Sequence, residues 1–247
     1  MIAVSLFLTL AYLFFIGSVF GWVLELFFRR FFSTSNPERK WINPGFCTGP
    51  YLPIYGSGLC VLYLLASLGD RWSAGSSAPG RLLLFALMAL SMTAIEYFAG
   101  LALLKWAKLR LWDYSDCRGN VRGLICPRFS FYWAVLGALY YFLVHPHVLR
   151  ALDWLAHNLA FSFVIGWFFG VFTLDVAYSA HLAAHLKAFA EENQVVVRYE
   201  ALKAHIQSAQ KAAQRRVHFF FSLRSELPLA EHLKNAKDAL EEIRRRI

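Results

Sequence analysis

Three acidic side chains stand inside otherwise apolar stretches: Glu25, Glu96 and Asp175. A charge at the centre of a membrane-crossing helix costs about 2.5–3.5 kcal/mol on insertion scales, so each acid needs a partner, a wet cavity or a function. A carboxylate in that setting can take up a proton, a cation or the charged part of a polar solute. Glu25 follows Gly17 and Gly21 at four-residue steps, which places it on the face of a G-x-x-x-G pair that lets a second helix come close. Thr93, Glu96 and Gly100 share a face in the same way. Gly166 and Gly170 predict a further close-packing face, but Asp175 lies five residues past Gly170, roughly half a turn round the helix, and spacing ranks it the weakest of the three acids.

Two loops concentrate the remaining polar chemistry. Asn43 to Gly58 holds three prolines and four glycines in sixteen residues, and an uninterrupted helix cannot form there. Irregular backbone at membrane depth must be buried in protein or line a wet cavity. Asn43 and Tyr55 are therefore candidates to line a binding site, either in a re-entrant turn or in a connector that enters a kinked helix. The second loop carries Trp112, Asp113, Tyr114, Asn120 and Arg122. Its arginines suit phosphate or carboxylate groups, and its acids suit cations or those same arginines.

Other chemistries find little support. Cys47, Cys60, Cys117 and Cys126 show no C-x-x-C pair, and Cys126 reads as a small buried residue. His181 and His185 are four apart on a helical stretch without a third ligand nearby, so no metal is expected. No G-x-S-x-G, H-E-x-x-H or Rossmann glycine pattern occurs. The run Gly75 to Arg81 has phosphate-loop glycine spacing but ends in Arg81-Leu82, and it reads as a plain loop. No cofactor, catalytic motif or nucleotide site follows from the sequence.

The elements that must hold these groups are set by composition. With 58% hydrophobic and 17% charged residues, the chain is far more apolar than a soluble domain. Five stretches qualify as spans, for which roughly 20 mainly apolar residues are needed: about 2–28, 51–68, 82–104, 129–149 and 155–178, the second being the shortest and most broken. The first is too long and lacks the basic start of a secretory signal. Loops alternate in basic content, and placing the rich ones in the cytoplasm puts 22 of 25 Lys and Arg there, with the N-terminus outside and the C-terminus inside. The +9 balance is thus an orientation signal, and nucleic-acid binding is not expected. From Ala180 the chain becomes polar but keeps apolar residues at three- and four-residue steps, with one gap at Asn193, and a break from Ser225 to Pro228 precedes a second such pattern. The expected fold is an all-α transmembrane bundle over 1–178 with a cytoplasmic helical tail or hairpin over 179–247.

At these clusters the sequence resembles the bacterial ABC-transporter type IV family, also called CmpB-like. The matching pieces are Gly21-Trp22-Val-Leu-Glu25, Asn43-Pro-Gly-Phe46, Gly49-Pro50-Tyr-Leu-Pro53-Ile-Tyr-Gly56, Glu96-Tyr97, Trp112-Asp-Tyr-Ser115 and Asn120-Val-Arg-Gly-Leu-Ile-Cys126. They occur in order over roughly residues 10–140. The resemblance implies a permease component in the bacterial inner membrane and places Glu25, Asn43, Glu96, Asp113 and Asn120 at the family's polar motif positions. It implies no substrate or catalytic residue.

The expected function is transport, through a polar cavity facing the cytoplasm in which Glu25 and Glu96 bind a cation, a proton or a polar solute. The ATPase would be a separate chain, and copies could pair through the tail or the glycine faces. Two other classes compete: a membrane enzyme acting on lipid head groups through Glu96 or Asp113, and a non-catalytic scaffold using the tail.

Overall fold

The structure is a computed structural model, and it describes residues 5–33, 36, 39–71, 77–193 and 195–212. Its helices begin where the local chemistry directs. Ser5 accepts a hydrogen bond from the Leu8 amide at the start of α1 (Leu6–Phe31). Proline opens α2 (Pro53–Arg71). Ser77 accepts from the Gly80 amide at the start of α3 (Ala78–Ala107), so the end of the expected Gly75–Arg81 loop is already a helix cap. Cys126 is extended and Pro127 occupies the first turn of α4 (Pro127–Leu139). A π turn, Tyr140–Val144, joins α4 to α5 (His145–His157), and a short 3-10 turn leads into α6 (Ser162–Glu192).

The protein is an all-α membrane bundle. Among the described residues, four helical stretches are long and apolar enough to cross a membrane: α1, α3, the joined α4–α5 and Leu159–Glu192. Each carries bulky apolar side chains on an exposed face, among them Phe7, Leu82, Phe142 and Phe163. The predicted second span is the helix α2, 19 residues long. It falls short of the other four in apolar character, and its surroundings explain why it can. The boundary between the last two spans lies at Asn158, later than expected, because α5 continues to His157.

The chain divides into two compact units. One comprises Met1–Trp22, Tyr51–Leu101 and Asp113–Leu174; the other comprises Val23–Pro50, Ala102–Trp112 and Asp175–Ile247.

In the first unit α2 runs between partners. A Cβ on Gly17 would meet Leu59, one on Gly21 would sit 2.2 Å from Tyr55, one on Gly58 would meet Met92, and one on Gly69 would meet Leu84. Residue numbers rise on α2 as they fall on α1 and α3, so α2 is antiparallel to both. Gly137 of α4 meets Met88 in turn. Leu13, Leu62, Ala66, Leu84, Met88 and Trp133 form the buried core. A helix surrounded by protein on several sides can carry Ser, Tyr and Gly that a lipid-facing helix would not. Among the described residues nothing packs on the glycine face expected on α6: none lies within 4 Å of a Cβ built on Gly166 or Gly170. Aromatic rings on another face do the packing instead, with Phe168 against Phe15 and Phe169 stacked on Phe14.

In the second unit the helical pattern past Ala180 ends at its gap. Asn193 turns back on α6, its side chain donating to the Phe189 carbonyl. Two-residue strands β1 (Leu109–Arg110) and β2 (Val197–Arg198) then pair in parallel, and α7 (Tyr199–Ala212) follows. Leu109, Leu186, Val197, Tyr199, Leu202 and Ile206 make its core. The expected break at Ser225–Pro228 and the second tail helix lie outside the described residues.

Candidate functional site

Glu96 is the buried acid of the first unit, 4% exposed on α3. Tyr114 donates its hydroxyl to one carboxylate oxygen at 2.9 Å, and the Trp133 indole N–H donates to the other at 3.0 Å. Tyr55 packs its ring on Trp133, with centroids 5.3 Å apart. Tyr114 stacks on Phe129 at 4.2 Å. A carboxylate in an apolar helix is thus held between neutral donors and aromatic rings.

The loop that delivers Tyr114 is built for shape. Asp113 accepts from the Ser115 amide and hydroxyl, closing a local turn. Asn120 donates to the Ser115 and Cys117 carbonyls and accepts from the Gly123 amide. Gly119, Arg122 and Gly123 all have φ between 56° and 72°, a left-handed region that bends the loop back on itself. The Tyr114 amide donates to the Gly123 carbonyl across that bend. Asp113, Asn120 and Arg122 therefore occupy shaping positions, and Arg122 is exposed.

Glu25, Asn43 and Trp112 belong to the second unit. Glu25 pairs with Arg29 one turn later at 2.7 Å, and Arg29 also pairs with Glu200 of α7. Asn43 is 1% exposed and donates to the Thr48 carbonyl, closing the loop on itself. Trp112 is half-buried at the end of the stretch that includes β1. Of the nine candidate residues, Tyr55, Glu96 and Tyr114 come together, while Glu25 and Asn43 have partners in their own unit.

The second unit also contains a centre that spacing did not reveal. Asp175 accepts from the Thr48 amide and hydroxyl at 3.1 and 2.6 Å, from the Gly49 amide at 2.7 Å and from Ser179 at 3.2 Å. From α7, Lys203 donates to the Asn43 and Gly45 carbonyls, and Tyr199 donates to the Phe46 carbonyl. The irregular run from Asn43 to Gly49 is thus satisfied by an acid on its amides and by an amine and a phenol on its carbonyls. Burial, then the nearby Arg29, pulls the Lys203 amine down to about 7. Burial likewise raises the Tyr199 hydroxyl and pushes the Cys47 thiol up to about 12, so Cys47 is no thiolate nucleophile at neutral pH. The expectation of broken helix is met from Asn43 to Leu52, but Gly56 and Gly58 lie within α2 as packing positions. No sequence motif announces Lys203; its place in an i,i+4 relation to Tyr199 on the apolar side of α7 was the available signal.

His181 and His185 stand edge to face with centroids 4.6 Å apart, and among the described residues no group of three His, Cys, Asp or Glu is placed to hold a metal.

Neither the comparison with curated proteins nor that with solved structures returned a match. A family model does match, over residues 12–180, a stretch that reaches well past the motifs to include Asp175. Since that is more than two thirds of the chain, the protein belongs to the family described as "Putative ABC-transporter type IV".

Proposed function

We propose that this protein is the membrane-embedded subunit of a transport system, that its ATPase is a separate chain, and that Glu96 is where a proton, a cation or a cationic solute engages the bundle. The observation that carries the reading is the Glu96 carboxylate itself, buried on an apolar helix with Tyr114 and Trp133 as donors. An acid in that environment is expensive to insert, and ion and solute pathways are its commonest use. Family membership supports the transport class. Two of the loop's polar residues, Asp113 and Asn120, are engaged in local turns, which does not favour the rival lipid chemistry. The bacterial inner membrane, with the basic tail in the cytoplasm, is the setting that the charge pattern favours.

The test is cation and proton flux into proteoliposomes carrying the full chain, with imposed gradients of sodium, potassium, ammonium and protons. Wild-type flux in one of these is expected to fall at least tenfold in Glu96→Gln at equal amounts of folded protein. Equal flux in the two proteins would remove Glu96 from the pathway.

A further inference from the structure

A second polar group lies in the first unit, well separated from Glu96. Trp133 and His145 are twelve residues apart on the joined α4–α5 helix, about 18 Å at 1.5 Å per residue. His145 is 5% exposed, and its Nε2 has no hydrogen-bond partner among the described residues. The same nitrogen is aimed at the Asp70 carboxylate near the end of α2, 3.6 Å away. On the other side of the ring, Nδ1 meets the Tyr140 hydroxyl at 2.8 Å. The π turn that carries Tyr140 sets this geometry, since it adds a residue to the helical turn immediately before His145.

We propose that His145 and Asp70 form a proton-binding site of the bundle. Among the described residues, the groups facing the ring come from α2, the π turn and α5. From α2 these are Asp70 and Tyr63, the latter with its ring 6.1 Å from the imidazole. From the π turn they are Tyr140 and Tyr141, the second stacked nearly parallel at 6.4 Å. Cys60, Tyr63 and Asp70 all lie within electrostatic reach of the Tyr140 hydroxyl. On α5 itself His147 bonds the Leu143 carbonyl and leaves His145 to these partners.

Both protonation states of the ring have hydrogen-bonding roles ready. In the neutral tautomer protonated at Nε2, the Tyr140 hydroxyl donates to Nδ1 and the Nε2 proton is directed toward Asp70. A proton arriving at Nδ1 reverses the Tyr140 bond, because a phenol oxygen accepts as well as donates. The imidazolium then faces a carboxylate, which favours a cation. The near miss of 3.6 Å leaves room for Asp70, which is more than half exposed, to close onto the ring when the charge appears.

The experiment is nitrogen NMR of histidine-labelled full-length protein in lipid bilayers between pH 5 and 8. His145→Gln identifies the resonances by their loss. The expected result is that His145 titrates in wild type and that Asp70→Asn weakens its proton affinity about tenfold, while Asp153→Asn leaves it unchanged. Should Asp70→Asn fail to fold, Asp70→Glu, which keeps the charge and moves it, is expected to shift the titration without abolishing it. A His145 signal that stays neutral and flat across this range would overturn the proposal, as would a titration indifferent to Asp70. Neither outcome bears on Glu96, whose flux assay stands apart.

Discussion

Lys203 is a cation that the fold has withdrawn from solvent, and the consequence is measurable. Its amine is pulled from 10.5 to about 7, chiefly by burial. Between those two values the unfolded chain holds the proton and the folded chain does not, so stability rises with pH across that window and the full penalty holds below it. Unfolding midpoints of the purified protein measured from pH 6.5 to 10 are expected to climb, and Lys203→Met, which keeps the apolar stem, is expected to reduce that slope. An identical slope in both proteins would show that another group is responsible. At the same scale Asp175 teaches how spacing misleads. Counting residues from Gly170 ranked it below Glu25 and Glu96, yet it accepts four hydrogen bonds, three from Thr48 and Gly49. Those donors are more than a hundred residues away, a separation at which helical periodicity carries no information.

Among the elements, the glycine pairs of α1 and α6 look alike in sequence and differ in use. A methyl on Gly21 would strike Tyr55 at 2.2 Å, whereas one on Gly170 would meet nothing within 4 Å among the described residues. Gly21→Ala is therefore expected to destabilise the protein by about 1–3 kcal/mol, the usual cost of overpacking. Gly170→Ala should stay within about 1 kcal/mol of wild type, the scale of a helix-propensity change. Thermal unfolding of the two variants in one detergent decides the matter; equal losses would mean that α1 and α2 can part without cost. The loop from Asp113 to Cys126 makes a parallel point. Its polar residues attract notice as ligands, but Asp113 and Asn120 hold turns that present Tyr114 to Glu96. Polar side chains two to five residues from their partners were readable as turn formers, while the Tyr114–Glu96 bond needed the fold.

For the whole molecule, the sequence predicts five crossings, and the shortest of the five, α2, falls outside the four helical stretches that are long and apolar enough to cross among the described residues. It runs antiparallel to α1 and α3 from Tyr55 to Gly69, about 21 Å of helix, with glycines at both ends packed on its neighbours. Five crossings put the two termini on opposite sides of the membrane; four put them on one side. Reporter fusions at each end are expected to read an external N-terminus and a cytoplasmic C-terminus, and matching readings would reduce the crossings to four. Composition alone determined that the chain is a helical membrane protein, because apolar runs of bilayer length leave the backbone no other way to satisfy its hydrogen bonds. Local chemistry fixed most helix starts, since serine caps and prolines act within a turn. Tertiary structure decided the rest: that Glu96 is held by Tyr114 and Trp133, that Asp175 and Lys203 secure the Asn43–Gly49 run, and that His145 faces Asp70. These pairings join side chains far apart in the chain, and only packing brings such groups within hydrogen-bonding range.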